Sequence, residues 1–213
     1  HRNLVNKNSL DLWDRSGVET ILFGIQTGSD HIRKNIFKRP TVNKDIIKIS
    51  HDIADRGINL RYDLIADNPY DTEESLKGAI KLLYQLPQPV SNKFNLFRLQ
   101  WFPGYPLTNK AIEDGHIKKE DSSIEKLIKR TSNDWAYVPT LEMIQNKKTK
   151  LTNVIWLIVW GFANENIVKY SVFNDSIGSK LCLQYLNYKA LLYGKVVGVG
   201  GIRDRYLLVQ WGF

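Results

Sequence analysis

The sequence predicts an α/β fold built on a parallel sheet, and three observations predict it. Apolar runs of strand length recur at residues 20–25, 58–65 and 94–102. The first is continuous, without strict alternation, which fits strands buried on both faces. Segments with apolar residues at helical spacing lie between the runs, so strands and helices alternate, with parallel pairing and right-handed crossovers. Two of the runs end in polar turns, Gln26-Thr27-Gly28-Ser29-Asp30 and Asp67-Asn68-Pro69-Tyr70-Asp71. The C-terminal ends of parallel strands are where such folds place ligands.

The elements follow in order. Residues 3–16 read as a short helix anchored by Leu4, Leu10 and Trp13 and stopped by Gly17. The first strand comes next. Ser29 or Asp30 then caps a short helix that ends near Lys38-Arg39-Pro40. Thr41 opens another helix, with Ile46, Ile47, Ile49 and Ile53 at helical spacing and Gly57 closing it. After the second strand, Asp71 and Glu74 form a capping pair. The helix that they open carries Leu76, Ile80, Leu83 and Tyr84 and ends before Pro87. The third strand leads into the tight turn Pro103-Gly104-Tyr105-Pro106, and a short helix over 107–114 stops at Gly115. Three strands cannot close a barrel, so the sheet stays open or further strands lie upstream of His1.

The character changes near residue 118. A charged stretch reaches Arg130 and reads as a surface helix or linker. A helical segment is expected near 141–150. Residues 151–165 are apolar on nearly all sides, carry Trp156 and Trp160, and are expected to pack against the strand-bearing half. Beyond Ile177 the signals mix: 181–186 fits a helix and 206–209 a strand. The chain therefore divides into 1–117, which holds the βα units, and 118–213, a mainly helical C-terminal extension.

Composition narrows the function classes. The 213 residues are 43% hydrophobic and 24% charged, as in ordinary globular proteins. The net charge of +8 suits an anionic ligand, nucleic acid or a membrane surface and selects none of them. The single cysteine, Cys182, sits among apolar neighbours and is expected to be a packed thiol. It excludes a disulfide framework within the chain and points to the reducing cytoplasm. The apolar run at 154–163 is shorter than the about 20 residues a bilayer span needs. Trp156, Trp160 and the basic charge leave contact with a membrane surface open for the C-terminal part. The opening residue, His1, reads as the start of a piece cut from a longer chain. The four histidines, His1, His31, His51 and His116, lack metal-ligand spacing. No Ser-His-Asp arrangement, Walker loop, dinucleotide fingerprint or nucleic-acid motif is present. An aldolase-type lyase would need a lysine or metal constellation at strand ends, which the sequence does not offer.

One ordered set of segments carries a family resemblance. It comprises Gly24-Ile25-Gln26-Thr27-Gly28-Ser29, Lys38-Arg39-Pro40-Thr41, Tyr62-Asp63-Leu64-Ile65-Ala66-Asp67-Asn68-Pro69 with Thr72-Glu73-Glu74, and Phe97-Arg98-Leu99-Gln100-Trp101-Phe102-Pro103-Gly104-Tyr105-Pro106-Leu107. Over residues 3–117 this resembles the second half of a radical S-adenosylmethionine (SAM) domain. It is similar in particular to the branch whose members often carry a cobalamin-binding domain upstream.

The resemblance implies a partial parallel (β/α) barrel, of which these three strands match the fourth, fifth and sixth. It implies a Cys-x3-Cys-x2-Cys loop holding a [4Fe–4S] cluster, and cleavage of SAM to a 5′-deoxyadenosyl radical. That loop is absent from this sequence, so the chain reads as a C-terminal fragment, inactive alone, with no catalytic or metal-binding residue to assign. Cobalamin, if used, would bind upstream, and the substrate stays open.

Within the chain the resemblance implies a cofactor-binding set. Gln26 would bond the ribose or the amino-acid portion of SAM. Lys38 or Arg39 would meet the carboxylate, and Asp63 would accept from the ribose hydroxyls. Asp67, Asn68 and Pro69 would form a turn near the adenine, although Asp67 stands where many radical SAM enzymes have glycine.

Each residue also has a structural reading. Gln26 could satisfy backbone groups at a strand end. Ser29 and Asp30 could be helix caps, and Lys38 and Arg39 solvated charges. Asp63 could pair with Arg61 or Arg98, and Trp101 and Phe102 could be core. The alternative for the whole chain is a non-catalytic α/β binding module that retains the scaffold.

Overall fold

The computed structural model describes residues 7–89, 94–123, 125, 135–139 and 146–200. They fall into two compact units, His1–Tyr137 and Val138–Phe213. The first unit extends past residue 117, because the backbone at Ala136 and Tyr137 pairs with the third strand.

The first unit is α/β. Strands β1 (Thr20–Gln26), β2 (Asn59–Ala66) and β3 (Phe94–Arg98) form a three-stranded parallel sheet in the order β1-β2-β3. Helix α1 (Lys7–Arg15) precedes β1, and α2 (Asp30–Asn35) and α3 (Asn43–Ala54) follow it. Helix α4 (Glu73–Gln85) links β2 to β3, and α5 (Pro106–Glu113) comes after β3.

The sheet is not buried equally on its two faces, contrary to the reading of its apolar runs. In β2, Leu60, Tyr62, Leu64 and Ala66 are buried, whereas Arg61 is exposed and Asp63 and Ile65 are half-buried. Alternation of this kind marks a strand with one packed face. Helix α3 covers the packed face with Ile46, Ile49 and Ile53, and Tyr62 stacks on Phe94 with ring centroids 4.7 Å apart. The other face is open, and Leu22 keeps 60% of its surface.

Local chemistry sets the helix ends. Ser29 caps α2 by accepting the Ile32 N–H at 3.3 Å. The cap of α4 is Thr72, not the expected Asp71–Glu74 pair. Thr72 and Ser75 each accept the other's backbone N–H, at 3.1 and 2.9 Å, and the Ser75 hydroxyl also donates to Asp71 at 2.8 Å. Serine at the third helical position is short enough to serve both bonds, which leaves Glu74 free to face outward. Gly28 packs directly on the Ala79 backbone of α4, with no space for a Cβ. Strand β3 stops at Arg98 rather than 102: the Leu99 N–H still reaches the Ala66 carbonyl, but the Gln100 side chain then donates to the Arg98 carbonyl at 3.1 Å. On the far side of β3, Ala136 bridges Phe97 in antiparallel fashion, and the Tyr137 N–H donates to the Leu96 carbonyl at 2.9 Å.

The second unit is helical: α6 (Lys147–Val159), α7 (Glu165–Phe173) and α8 (Ile177–Gly200). Residues 151–159 of α6 are all buried, and α8 packs against both α6 and α7. Trp156 is fully buried, and Phe162 stacks on Tyr193 at 4.4 Å. Asn153 and Asn187 share a buried hydrogen bond of 2.8 Å that ties α6 to α8. The helix expected at 181–186 lies inside α8. The strand expected at 206–209 and the first part of the segment 141–150 lie outside the described residues. Cys182 is half-buried rather than packed in the core, because its turn of α8 faces outward at Leu181. Among the described residues no helix is long and apolar enough to cross a membrane.

Candidate ligand site at the strand mouths

The site begins where β1 loses register with β2. Gly24 lies opposite Asp63, and Gln26, after a bulge, opposite Leu64. Gln26 has a left-handed backbone, φ 63°, which costs a residue with a Cβ about 1–2 kcal/mol. Its side chain folds back so that the amide occupies the space that a Cβ on Gly24 would need. Paired residues in a parallel ladder project to the same face, so position 24 and Asp63 share the open face, and the Gln26 amide, folded over Gly24, lies on it as well. Asn95 lies opposite Asp63 on β3 and donates to the Asp63 Oδ1 at 2.8 Å. An amide, a carboxylate and a second amide thus form a polar row across three strands. Asp63 pairs with Asn95, not with Arg98, because Arg98 is in register with Ala66 and belongs to the other face.

Among the described residues, the Gln26 Oε1 and the Asn68 Nδ2 at the mouths are buried without a hydrogen-bond partner. Leaving such an atom unsatisfied costs about 1–3 kcal/mol. Asn68 is otherwise fixed, since its Oδ1 accepts the Tyr70 N–H at 3.2 Å. Asp67, just before it, has φ 55° and lies 3.6 Å from the Arg98 Nε. Burial pushes the Asp67 carboxyl above its ordinary value and Arg98 pulls it back. The side chain keeps 37% of its surface, so water moderates both effects. The Arg98 guanidinium lies 5.9 Å from the centre of the Tyr137 ring, whose hydroxyl is driven upward in pKa by burial.

The loop after β1 is built around Arg33, which sequence reasoning missed. Its side chain is 1% exposed and enters the loop from α2. It donates to the Ile25 carbonyl at 3.2 Å, the Thr27 carbonyl, the Asp30 carboxylate at 2.7 Å, the Thr41 carbonyl at 3.3 Å and the Asn43 Oδ1 at 2.8 Å. Asn43 in turn donates to the Gly28 carbonyl at 2.7 Å. Asp30 therefore serves as a partner of Arg33 and of the Asn43 N–H. Its three-residue spacing from Arg33 was the available signal.

Of the five residues singled out for cofactor binding, Gln26 and Asp63 come together on one face, and Asp67 and Asn68 follow directly at the end of β2. Lys38 is not part of this row. It is solvent-exposed beyond α2, with φ 53°. Among the described residues, Gln26, Lys38 and Asp67 are the non-glycine residues with positive φ. Backbone strain of this kind clusters at functional sites.

A cavity of about 420 Å³ lies beside the row, between Gly28, Ser29, His31 and Ile36 on one side and Tyr70 and Thr72 on the other. None of the five residues lines it. Phe102, expected in the core, keeps 37% of its surface and lies 5.5 Å from Tyr105 and 6.1 Å from Trp135, ring centre to ring centre. Among the described residues no group of three His, Cys, Asp or Glu side chains is arranged to hold a metal.

Neither protein-family models nor curated proteins give a match to this chain.

Proposed function

We propose that this chain is the SAM-binding wall of a radical SAM-type partial (β/α) barrel, in which β1, β2 and β3 are the fourth, fifth and sixth strands. The observation that carries the reading is the shared face of Gln26 and Asp63 at the mouths of neighbouring parallel strands. The two orphaned atoms support it. The Gln26 Oε1 is an acceptor suited to a ribose hydroxyl or an ammonium, and the Asn68 Nδ2 is a donor suited to a ring nitrogen or a carboxylate. Asp63 retains its second carboxylate oxygen for a ribose hydroxyl. The exposed rings of Phe102, Tyr105 and Trp135 offer flat surfaces for a base.

The donor set of this chain does not fit the iron–sulfur cluster of that family. A [4Fe–4S] cluster needs several thiolates, and the sequence has one cysteine, Cys182, in the second unit. No step is assigned through the cluster, and no residue here is assigned to cobalamin.

Titration of the protein with SAM by calorimetry tests the proposal. Gln26→Ala and Asp63→Ala should each weaken binding about tenfold, the loss of one hydrogen bond to a charged or buried group. Unchanged affinity in both variants would refute the site.

A second reading, a binding module without chemistry, is favoured by one observation. Asp63 is held by Asn95 and Asp67 lies against Arg98, contacts that fix both carboxylates in place as binding groups. SAM binding that persists, with no cluster formed when iron and sulfide are supplied together with the upstream half of the domain, would select this reading.

A further inference from the structure

The second unit exposes a continuous apolar stripe that its own core does not use. Along α8, Ile177, Leu181, Tyr185, Tyr188 and Leu192 keep 80%, 62%, 59%, 62% and 65% of their surfaces. Their spacing of four, four, three and four residues puts all five on one side of the helix. The opposite side holds Ser179, Leu186, Ala190 and Tyr193, which are buried against α6 and α7. Helix α7 continues the stripe. Tyr170 and Phe173 are exposed, and the Tyr170 hydroxyl reaches Ser176, the residue before Ile177. A helix that is apolar on both sides, with one side uncovered, calls for an apolar medium on that side.

Charge identifies the medium. Residues 146–200 carry seven lysines against two acids, a net of +5. Helix α8 itself contains Lys180, Lys189 and Lys195 and no acid. At 100° per residue, Lys180 and Lys189 fall on the two flanks of the stripe and Lys195 at its C-terminal end. The acids Glu165 and Asp175 are already paired, with Lys169 at 2.6 Å and Lys180 at 3.1 Å. An apolar strip edged by lysines is the pattern of a helix that lies in the plane of a lipid surface, its stems in the acyl boundary and its ammonium groups among anionic head groups. Self-pairing along this strip would bring together two faces of the same sign.

We propose that α8, extended by the end of α7, docks the second unit on an anionic lipid surface through Leu181, Tyr185, Tyr188 and Leu192. Trp156 and Trp160 do not make the contact: Trp156 is fully buried, and Trp160 stacks on it at 5.4 Å. The inference does not depend on the reading of the strand mouths.

Co-sedimentation of the full chain with phosphatidylcholine vesicles, with and without phosphatidylserine, tests it. Binding is expected only when phosphatidylserine is present, and should weaken as salt is raised. The double variant Leu181→Gln, Leu192→Gln should lower partition about a hundredfold or more, as removing two buried leucines requires. The triple variant Lys180→Gln, Lys189→Gln, Lys195→Gln should lower it by up to a similar factor. Circular dichroism should show both variants folded, since every substituted side chain is at least partly exposed. Independently of any variant, an environment-sensitive dye on Cys182, beside Leu181, should shift to the blue on addition of phosphatidylserine vesicles. Failure of the folded wild-type chain to sediment with these vesicles overturns the proposal. So does a stable dimer that the double leucine variant dissociates while no vesicle binding is seen, because a second copy of the chain would then cover the stripe.

Discussion

The Gln26 amide lies over Gly24, in the space that any side chain at position 24 would fill. This relationship holds the Gln26 amide over the position opposite Asp63, and it can be broken without touching either residue. Gly24→Ala displaces only the far end of a flexible side chain. Thermal unfolding should therefore move little, within about 0.5 kcal/mol, while SAM affinity falls as it does in Gln26→Ala. Calorimetric titration beside a thermal melt separates the two effects.

Arg33 makes a contrasting prediction. Its guanidinium joins the end of β1, α2 and the start of α3 from a position closed to water. Arg33→Ala removes the donor that the Thr27 carbonyl and the Asn43 Oδ1 accept from, while the Ile25 carbonyl keeps the Thr27 N–H and Asp30 keeps the Asn43 N–H. The expected cost is about 1–3 kcal/mol, as for a buried acceptor left unsatisfied, measured by urea unfolding; Asp30, whose side chain keeps 48% of its surface, is rehydrated. Arg33→Lys should recover little, because one ammonium cannot span acceptors on several sides.

Lys38 pays for a left-handed backbone while standing in solvent. Lys38→Gly should raise stability by about 1 kcal/mol, seen as an increase in the urea midpoint. Loss of SAM affinity in the same variant would bring Lys38 back into the ligand site. Unchanged affinity would leave it a solvated charge.

Acid should loosen the turn after β2. Lys110, then Tyr70, hold the Asp114 carboxyl below its ordinary value of 3.8, with the Tyr70 hydroxyl donating to it at 2.8 Å. A carboxyl lowered by folding stabilises fully above its unfolded value. Its contribution is lost as pH falls through the folded value, so the change lies below pH 3.8. Asp114→Asn should remove this part of the acid dependence, giving a flatter plot of melting temperature against pH in that range.

The order of strands and helices through α5 was legible, because the apolar runs and the Ser29, Gly57 and Pro106 punctuation act locally. Packing on one face only was less so, although Arg61, Asp63 and Ile65 against Tyr62, Leu64 and Ala66 already carry a two-residue period. Gln26, Asp67 and Asn68 stood out through their motif. Asn95 is found by the same alternation once β2 and β3 are in register, but the register depends on pairing that no single strand encodes. Arg33 was hidden for another reason. A charged side chain on a short helix reads as solvated until the loop that wraps it is known. The second unit resisted because α6 and α8 are apolar on most sides, which erases the periodicity that assigns faces.

The backbone at Ala136 that flanks β3 has a consequence for assembly. With that border covered at Leu96 and Phe97, β1 is the edge of this sheet that the described residues leave open. An edge strand with free backbone groups is a template for pairing, so lateral recruitment is favoured at β1 over the partly covered β3.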